Sequence, residues 1–175
     1  MAATEAETRR GPSHDLIEWL TSQGIAYELH EHALTFTARE TARAEGVDPV
    51  TFAKTIGVVA DDGRRALMVI EATDHLDLVK ARRTMGSGHV RLLTEPELLA
   101  PAPDCAIGTI PPVGALYGLP VYADHALRAD VEVSFHAGSH RYTVRVNREA
   151  WERQASVTFA DLAEDVDSRP LWARS

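Results

Sequence analysis

The residue whose type and position most clearly suggest chemistry is Lys54. Lysine and arginine together account for 18 residues of the chain, and Lys54 and Lys80 are its only lysines. Lys54 stands directly before the apolar segment 55–60. A lysine presents a compact ammonium charge, whereas an arginine presents a planar guanidinium. A lysine at this place in an arginine-rich chain therefore indicates a specific ligand contact, although a cation that begins a strand and extends to water is the alternative.

A second segment of chemical interest is the loop at residues 107–114, where two glycines flank a Pro-Pro pair. The glycines allow the backbone to approach a ligand closely, and the prolines restrict the middle of the loop. Unused backbone amides can bind a carbonyl or an oxyanion without any catalytic side chain. A rigid connector between a helix and a strand is the alternative. The amides predicted to be available are those of Gly108, Thr109, Ile110, Val113 and Gly114.

Other catalytic and metal-binding patterns are weak. The chain has no G-x-S-x-G elbow, no Walker A motif and no G-x-G-x-x-G motif. Cys105 is the single cysteine, which excludes an internal disulfide and predicts a small buried packing residue. His30-x-His32 and His136-x-x-x-His140 leave a metal-dependent hydrolase open, but the second pair would suit a helix and lies in a predicted turn. We predict no metal and no cofactor.

The composition is that of one globular domain, with 175 residues of which 45% are hydrophobic and 25% charged. A net charge of −8 argues against binding of DNA or long RNA through a broad basic face, but it permits binding of one RNA end. Arg39 and Arg43 form one of several small basic groups, each either a solvated face or a binding patch. No apolar run is long enough for a membrane span or a signal peptide. We therefore expect a cytoplasmic protein with no membrane partner.

The hydrophobic periodicity and the capping signals predict a mixture of helices and strands. Helices are predicted at residues 15–22, 37–44, 73–85, 94–100 and 147–154, and strands at residues 27–30, 55–60, 66–71, 90–93, 119–123, 131–135 and 142–146, with turns at 61–65 and 137–140. This irregular order favours a single α+β domain on a mixed β-sheet with flanking helices over a doubly wound parallel sheet. We predict a flexible N-terminal segment at 1–12, the folded domain at 13–159, and a polar C-terminal tail at 160–175 that is frayed from Asp161.

Several short motifs, taken together in this order and spacing, resemble one known family. They are Phe52-x-Lys54-Thr55 before a strand and hairpin, Gly108-x-x-x-Pro112-x-Gly114, Val121-x-x-Asp124, and Ala137-Gly138 between two strands. The chain is similar in these motifs to the YbaK/EbsC-type aminoacyl-tRNA deacylases, which include the editing domain inserted in bacterial prolyl-tRNA synthetase. The resemblance extends over residues 15–151, which is most of the chain.

The resemblance implies a fold and a set of site residues. The fold is a single domain on a strongly curved mixed sheet. The implied catalytic residues are Lys54, which matches the essential lysine of the family, and Gly108 and Pro112, which match its GxxxP loop. The implied substrate-binding residues are Thr55, Thr109, Ile110, Pro111, Gly114, Asp124, Gly138 and Ser139, among which Asp124 has an equally good structural interpretation. Thr109 and Pro111 depart from the family, which commonly has a second glycine and a Ser or Thr there.

The function implied by the resemblance is hydrolysis of the ester that links a wrong, small amino acid of the Cys, Ala or Ser type to the 3′ end of a tRNA. Such an ester is already activated, so that oriented water and a stabilised oxyanion are sufficient. The expected partners are the tRNA acceptor end and an aminoacyl-tRNA synthetase. A non-catalytic tRNA- or synthetase-binding module of the same fold remains an alternative, and the amino acid removed and the cognate tRNA stay open.

Overall fold

The computed structural model describes residue 5 and residues 10–35, 37–48 and 51–165. Five α-helices in this part of the chain begin at a residue with a capping side chain, namely Ser13, Thr37, Asp77, Thr94 or Asn147. They are α1 (His14–Ser22), α2 (Ala38–Glu45), α3 (Leu78–Met85), α4 (Glu95–Leu99) and α5 (Arg148–Gln154), and two 3₁₀ turns span Gly114–Leu116 and His125–Ala129. None of the described helices has both the length and the apolar character that a membrane crossing requires.

The strands form two sheets. They are β1 (Tyr27–Glu31), β2 (Ala53–Ala60), β3 (Arg65–Glu71), β4 (Val90–Leu92), β5 (Val121–Asp124), β6 (Glu132–Ser139), β7 (Tyr142–Asn147) and β8 (Thr158–Ala160). An antiparallel sheet has the order β1-β7-β6, and a mixed sheet has the order β4-β2-β3-β5-β8, with β5 parallel to β3 and to β8. The predicted α+β class with a mixed sheet is confirmed, but the strands divide between two sheets, which meet at a bridge between Phe52 and Ser134.

The core explains why β2 and β3 are apolar on both faces. One hydrophobic cluster fills the space between the sheets and includes Val69 of β3, Phe135 of β6 and Trp151 of α5. A second cluster covers the opposite face of the mixed sheet, where Met68 of β3 packs with Met85 of α3. A strand that is buried on both faces needs apolar residues at successive positions rather than alternating ones.

The predicted start of the third helix at Thr73 or Asp74 is wrong, because the helix begins at Leu78 with Asp77 as its cap. Leu76 forms an isolated bridge with Ala163, and the Asp77 amide donates to the Leu162 carbonyl at 2.8 Å. These contacts with a distant part of the chain hold the segment before α3 extended. Local capping preferences contain no information about them.

The predicted turn at residues 137–140 is also displaced. β6 continues through Ala137 and Gly138 to Ser139, with a bulge between His136 and Ser139, and the hairpin turns at residues 140 and 141 instead. Gly138 adopts a φ of +79° in this bulge. An extra residue in one strand of an antiparallel pair requires such a local change of conformation, which glycine allows at low cost.

The prediction of fraying from Asp161 is wrong for residues 161–165, which pack against the domain, while residues 166–175 lie outside the described residues. Leu162 is completely buried. The amides of Leu162 and Ala163 both donate to Oδ2 of Asp124, at 2.8 and 2.9 Å, while Oδ1 of Asp124 accepts from the Ala126 amide. The buried Asp124 carboxylate therefore holds the end of the domain in place.

We expect Asp124→Asn to lower the free energy of unfolding by about 2 kcal/mol, because one oxygen that accepts two amides is lost or replaced by a donor. Urea denaturation followed by circular dichroism measures the change. Glu18→Gln is the control, since Glu18 is an exposed carboxylate on α1, and it should change stability by less than about 0.5 kcal/mol. Equal stability of the two variants would contradict the anchoring role of Asp124.

Candidate functional site

A cavity of about 460 Å³ lies beside the first half of β2. Three other parts of the chain complete its wall, namely the start of α2, the segment that follows β3, and the loop at Gly108. Of the predicted site residues, the structure brings Lys54, Thr55 and Gly108 together here. The full lining is Thr37, Ala38, Arg39, Lys54, Thr55, Ile56, Ala72, Thr73, His75 and Gly108.

The ammonium group of Lys54 is held by backbone oxygens. Its Nζ donates to the carbonyl of Asp74 and to the carbonyl of Ala72, the latter at 3.5 Å. The Ala72 amide in turn donates to the Phe52 carbonyl at 2.7 Å, which fixes this segment to the strand that carries Lys54. Carbonyl oxygens can only accept hydrogen bonds, so the amino group of Lys54 is the donor in both contacts and is held in one orientation by them.

Gly108 occupies a tight turn at the mouth of the cavity. The amide of Thr109 donates to the Ala106 carbonyl at 3.2 Å, and Gly108, the third residue of this turn, has a φ of +76°. A positive φ at this position is the requirement of a type II turn, and glycine meets it without strain. Among the residues that the structure describes, the exposed Gly108 amide donates no hydrogen bond, so it is available to a ligand.

The bulge of β6 supports this turn from behind. The Gly138 amide donates to the Thr109 carbonyl at 3.0 Å, and the Ala106 amide donates to the Gly138 carbonyl at 2.9 Å. Gly138 therefore does not line the cavity but holds both ends of the turn that does. A side chain at Gly138 would lie 2.8 Å from Cβ of Ser13, which is too close for an unstrained contact.

The rest of the glycine-proline loop is structural. Two of the predicted ligand amides are occupied, because Thr109 donates to Ala106 and Val113 donates to the carbonyl of Pro111 at 2.8 Å. That part of the prediction is wrong, since the loop satisfies these donors internally. The Pro112 carbonyl accepts from Nε1 of Trp151 at 2.9 Å, which anchors the loop to α5. Residues 109–114 are buried and do not line the cavity.

Three other predicted site residues have structural partners instead. Ile110 packs against Ala102 and Cys105, and Cys105 is buried, which confirms its packing role and raises the pKa of its thiol to about 12. Ser139 donates from Oγ to the Arg10 carbonyl at 2.8 Å and lies outside the cavity. Asp124 is occupied by three backbone amides, as described above.

Arg39 and His75 line the cavity and were not predicted as site residues. The Thr37-x-x-Glu40 capping box locates the start of α2, and Arg39 belongs to a basic group that is visible in the sequence. The position of Arg39 could therefore have been predicted from the sequence. His75 belongs to no motif. With Lys54 they give the cavity two cations and one titratable imidazole in a chain of net charge −8.

Glu71, Asp74 and Glu40 are carboxylates that directly adjoin lining residues along the chain, and Glu71 precedes Ala72. Burial, together with the negative charges of Asp74 and Asp130, raises the pKa of Glu71 to about 7. Glu71 therefore carries only part of its negative charge near neutral pH. This reduces the electrostatic repulsion that Glu71 exerts on an anionic ligand.

The histidine pairs considered for metal binding do not line the cavity. His136 is buried, its Nε2 lies 3.3 Å from Oγ1 of Thr41, and burial lowers the pKa of its imidazole to about 3, so it is neutral. His30 pairs with Glu28 on the surface. Within the described ranges, the ligand atoms of His14, Asp15 and Glu18 alone converge as at a metal site, and these three residues are exposed on α1.

Comparison with known proteins gives consistent matches. A family model described as the aminoacyl-tRNA editing domain matches residues 32–153. A proline--tRNA ligase of Shouchella clausii is 33% identical over 106 residues, which are 61% of this chain and 18% of the ligase. A proline--tRNA ligase of Halalkalibacterium halodurans is 32% identical over 128 residues, which are 72% of this chain and 21% of the ligase. The chain thus spans about a fifth of the length of these curated relatives.

A solved structure has a similar fold over its whole length. It is described as a proposed trans-editing enzyme for prolyl tRNA synthetase, and it superposes on this chain with a TM-score of 0.78 at 28% sequence identity. The superposition covers 94% of this chain and 100% of the other.

Two glycines of the loop should respond differently to a methyl group. Gly108→Ala should cost about 1–2 kcal/mol, because the positive φ is strained for alanine although no atom lies within 4 Å of the new Cβ. Gly114→Ala should cost about 3 kcal/mol or more, because its Cβ would lie 1.8 Å from the Leu119 carbonyl oxygen. Chemical denaturation of both variants measures the difference, and equal losses would contradict these structural roles.

Proposed function

The chain belongs to the aminoacyl-tRNA editing domain family, and from this membership and the cavity around Lys54 we propose that it hydrolyses the ester of mischarged aminoacyl-tRNA. The proposal rests mainly on the observation that Lys54 and Gly108 line one cavity, and that the Gly108 amide donates no hydrogen bond within the described part of the chain. One group supplies a cation for the phosphate or the ester oxygens of the tRNA end, and the other supplies a donor for a developing oxyanion. These are the two kinds of stabilisation that an activated ester requires.

Lys54 acts in this mechanism as a positioned charge. The carbonyls of Ala72 and Asp74 accept hydrogen bonds from its ammonium and orient it, and the group acts through its charge rather than as a nucleophile or general base. Water is the nucleophile, and a hydroxyl or thiol of the substrate, including the 2′-OH of the terminal ribose, assists its attack. The proton of water leaves with the ribose oxygen, so that a free amino acid and uncharged tRNA are the products.

The Gly108 turn supplies the complementary contact. As the carbonyl carbon becomes tetrahedral, its oxygen gains negative charge, and a fixed amide stabilises that charge without reorganisation. Pro112 contributes indirectly, because its carbonyl is bonded to Trp151 and so fixes the loop that presents Gly108. Arg39, which also lines the cavity, favours an anionic ligand such as the terminal phosphate of the tRNA.

The substrate proposed is a tRNA carrying a small amino acid of the Cys, Ala or Ser type. The cavity of about 460 Å³ must accept the terminal adenosine as well as the amino acid, which leaves little space for a large side chain. The relatives named as proline--tRNA ligases and the neighbour named for prolyl tRNA synthetase support tRNA charged by that synthetase as the substrate. We propose that the protein acts in trans, in the cytoplasm, on the acceptor end and alongside the synthetase.

Lys54→Ala should lower the single-turnover rate of alanyl-tRNA hydrolysis by about 100-fold, because the ligand loses its positioned cation. Lys54→Arg should also lose most of the activity, since a planar guanidinium does not fit a site shaped by two carbonyls for a compact ammonium. The rates are measured with tRNAs charged with Ala, Ser, Cys and Pro, and with Lys80→Arg as a control that alters the other lysine of the chain. Hydrolysis of none of these esters above the buffer rate, or full activity of Lys54→Ala, would refute the mechanism.

A further inference from the structure

The outermost strand of the antiparallel sheet, β1 (Tyr27–Glu31), has an open edge. Among the described strands it pairs with β7 alone, along all five of its residues. The other outer strands offer less room. β4 and β8 span three residues each, and β6 is bridged to Phe52 at Ser134 and bonded to the 106–109 turn at Gly138. β1 is therefore the strand to which a further strand can add most readily.

The main-chain groups that face the open edge follow from one hydrogen bond just beyond β1. The His32 amide donates to the Arg141 carbonyl at 2.9 Å, so the main chain of residue 32 points toward β7. Main-chain direction alternates along an antiparallel strand, so every second residue of β1 points away from β7. Among the described residues, the hydrogen bonds outside the ladders include none at the main-chain groups of these outward-pointing residues, which are Tyr27, Leu29 and Glu31.

We propose that two copies of this chain associate by antiparallel pairing of their β1 strands about a two-fold axis at Leu29. Outward-pointing residues of one copy must lie opposite outward-pointing residues of the other for both hydrogen bonds of a pair to form. The axis at Leu29 gives each of them a partner, because Leu29 faces its own copy and Tyr27 faces Glu31. Any other two-fold axis along the strand leaves at least one without a partner. The two antiparallel sheets thereby become one continuous sheet, joined through the same patch of each copy.

The side chains on the core-facing side of β1 suit this pairing. Leu29 lies opposite the buried Val144, yet Leu29 itself is 41% exposed, since it lies at the rim of the sheet. Tyr27 lies on the same face and packs against the hydrophobic cluster between the two sheets. Pairing about Leu29 places the two copies of this leucine side by side. An apolar side chain at the rim of the core is thereby removed from water.

The charges on the opposite face of β1 select the same register. Oε2 of Glu28 lies 3.1 Å from Nε2 of His30 and 3.5 Å from the guanidinium of Arg145 in the same chain. An axis at Leu29 also places Glu28 of each copy opposite His30 of the other. An axis one residue away would place Glu28 or His30 opposite its own copy, and like charges directly opposite destabilise a strand pair. Charges on an edge strand discourage indiscriminate pairing, and here they favour a partner with the same sequence.

Sedimentation velocity tests the association directly. A pair of short strands forms a small interface, so the dimer should dissociate on dilution, and the unaltered protein is followed from about 5 to about 500 µM. Leu29→Glu sets two carboxylates opposite each other at the axis and should raise the dissociation constant at least about tenfold. Leu92→Glu is the matched control, because Leu92 is 50% exposed on β4, and it should leave the association unchanged.

The inference does not depend on the proposed function, since no residue of β1 is among those that line the cavity around Lys54. Both variants should therefore keep the hydrolysis rate of the unaltered protein. A monomer at every concentration would overturn the inference. Equal dissociation constants for Leu29→Glu and Leu92→Glu would overturn it as well, because the effect would then follow from net charge alone.

Leu29→Cys tests the register. In a hydrogen-bonded antiparallel pair the Cα atoms lie about 5.5 Å apart, a distance that a disulfide spans. Oxidation with diamide, which takes up the two protons and two electrons of the thiols, should therefore link two copies, and the native Cys105 is buried. His30→Cys is the matched control, because its two copies would have Cα atoms about 8 Å apart. Equal or stronger cross-linking of His30→Cys, or no cross-linking of Leu29→Cys, would refute the pairing about Leu29.

Discussion

Two hydrogen bonds at Gly138 connect the two halves of this domain at the cavity. Gly138 belongs to the antiparallel sheet, whereas the turn it holds, from Ala106 to Thr109, carries Gly108, which lines the cavity beside the mixed sheet. Both bonds depend on the bulge, because a regular strand would direct these groups along the ladder to β7. A local irregularity in one sheet thus determines where the turn at Gly108 lies relative to a lysine on the other sheet.

Main-chain groups are prominent around Lys54 at the cavity. Backbone carbonyls orient Lys54, Gly108 lines the cavity in a tight turn, and Thr55 lies where β2 has a neighbouring strand on one edge among the described residues. Main-chain groups are held by the fold, so they lose little conformational entropy when a ligand binds. They also place few demands on side-chain identity, which is why a site of this kind has short, weak motifs and no catalytic triad.

The sequence is sufficient to predict features that depend on neighbouring residues. The hairpin at Gly63, the capping boxes at Thr37 and Thr94 and the alternation in β7 follow from local preferences, and the resemblance to a family adds Lys54 and Gly108. Contacts between distant residues were not predictable in the same way. The start of α3 depends on Leu162, the role of Asp124 depends on a segment expected to fray, and His75 enters the cavity because of the path taken after β3.

β2 pairs with β3 along its length but with β4 only from Val58 to Ala60, so within the described residues its other edge is open near Thr55. Unpaired strand edges are templates on which other chains can add and form aggregates. Here the bridge to Ser134 and the bond from Leu93 confine the open edge to the neighbourhood of Thr55. An added strand needs several consecutive main-chain hydrogen bonds to pair stably. An opening of this length can accept a small ligand but is too short for a strand of a second polypeptide. The length of the opening therefore limits what can pair with this part of β2.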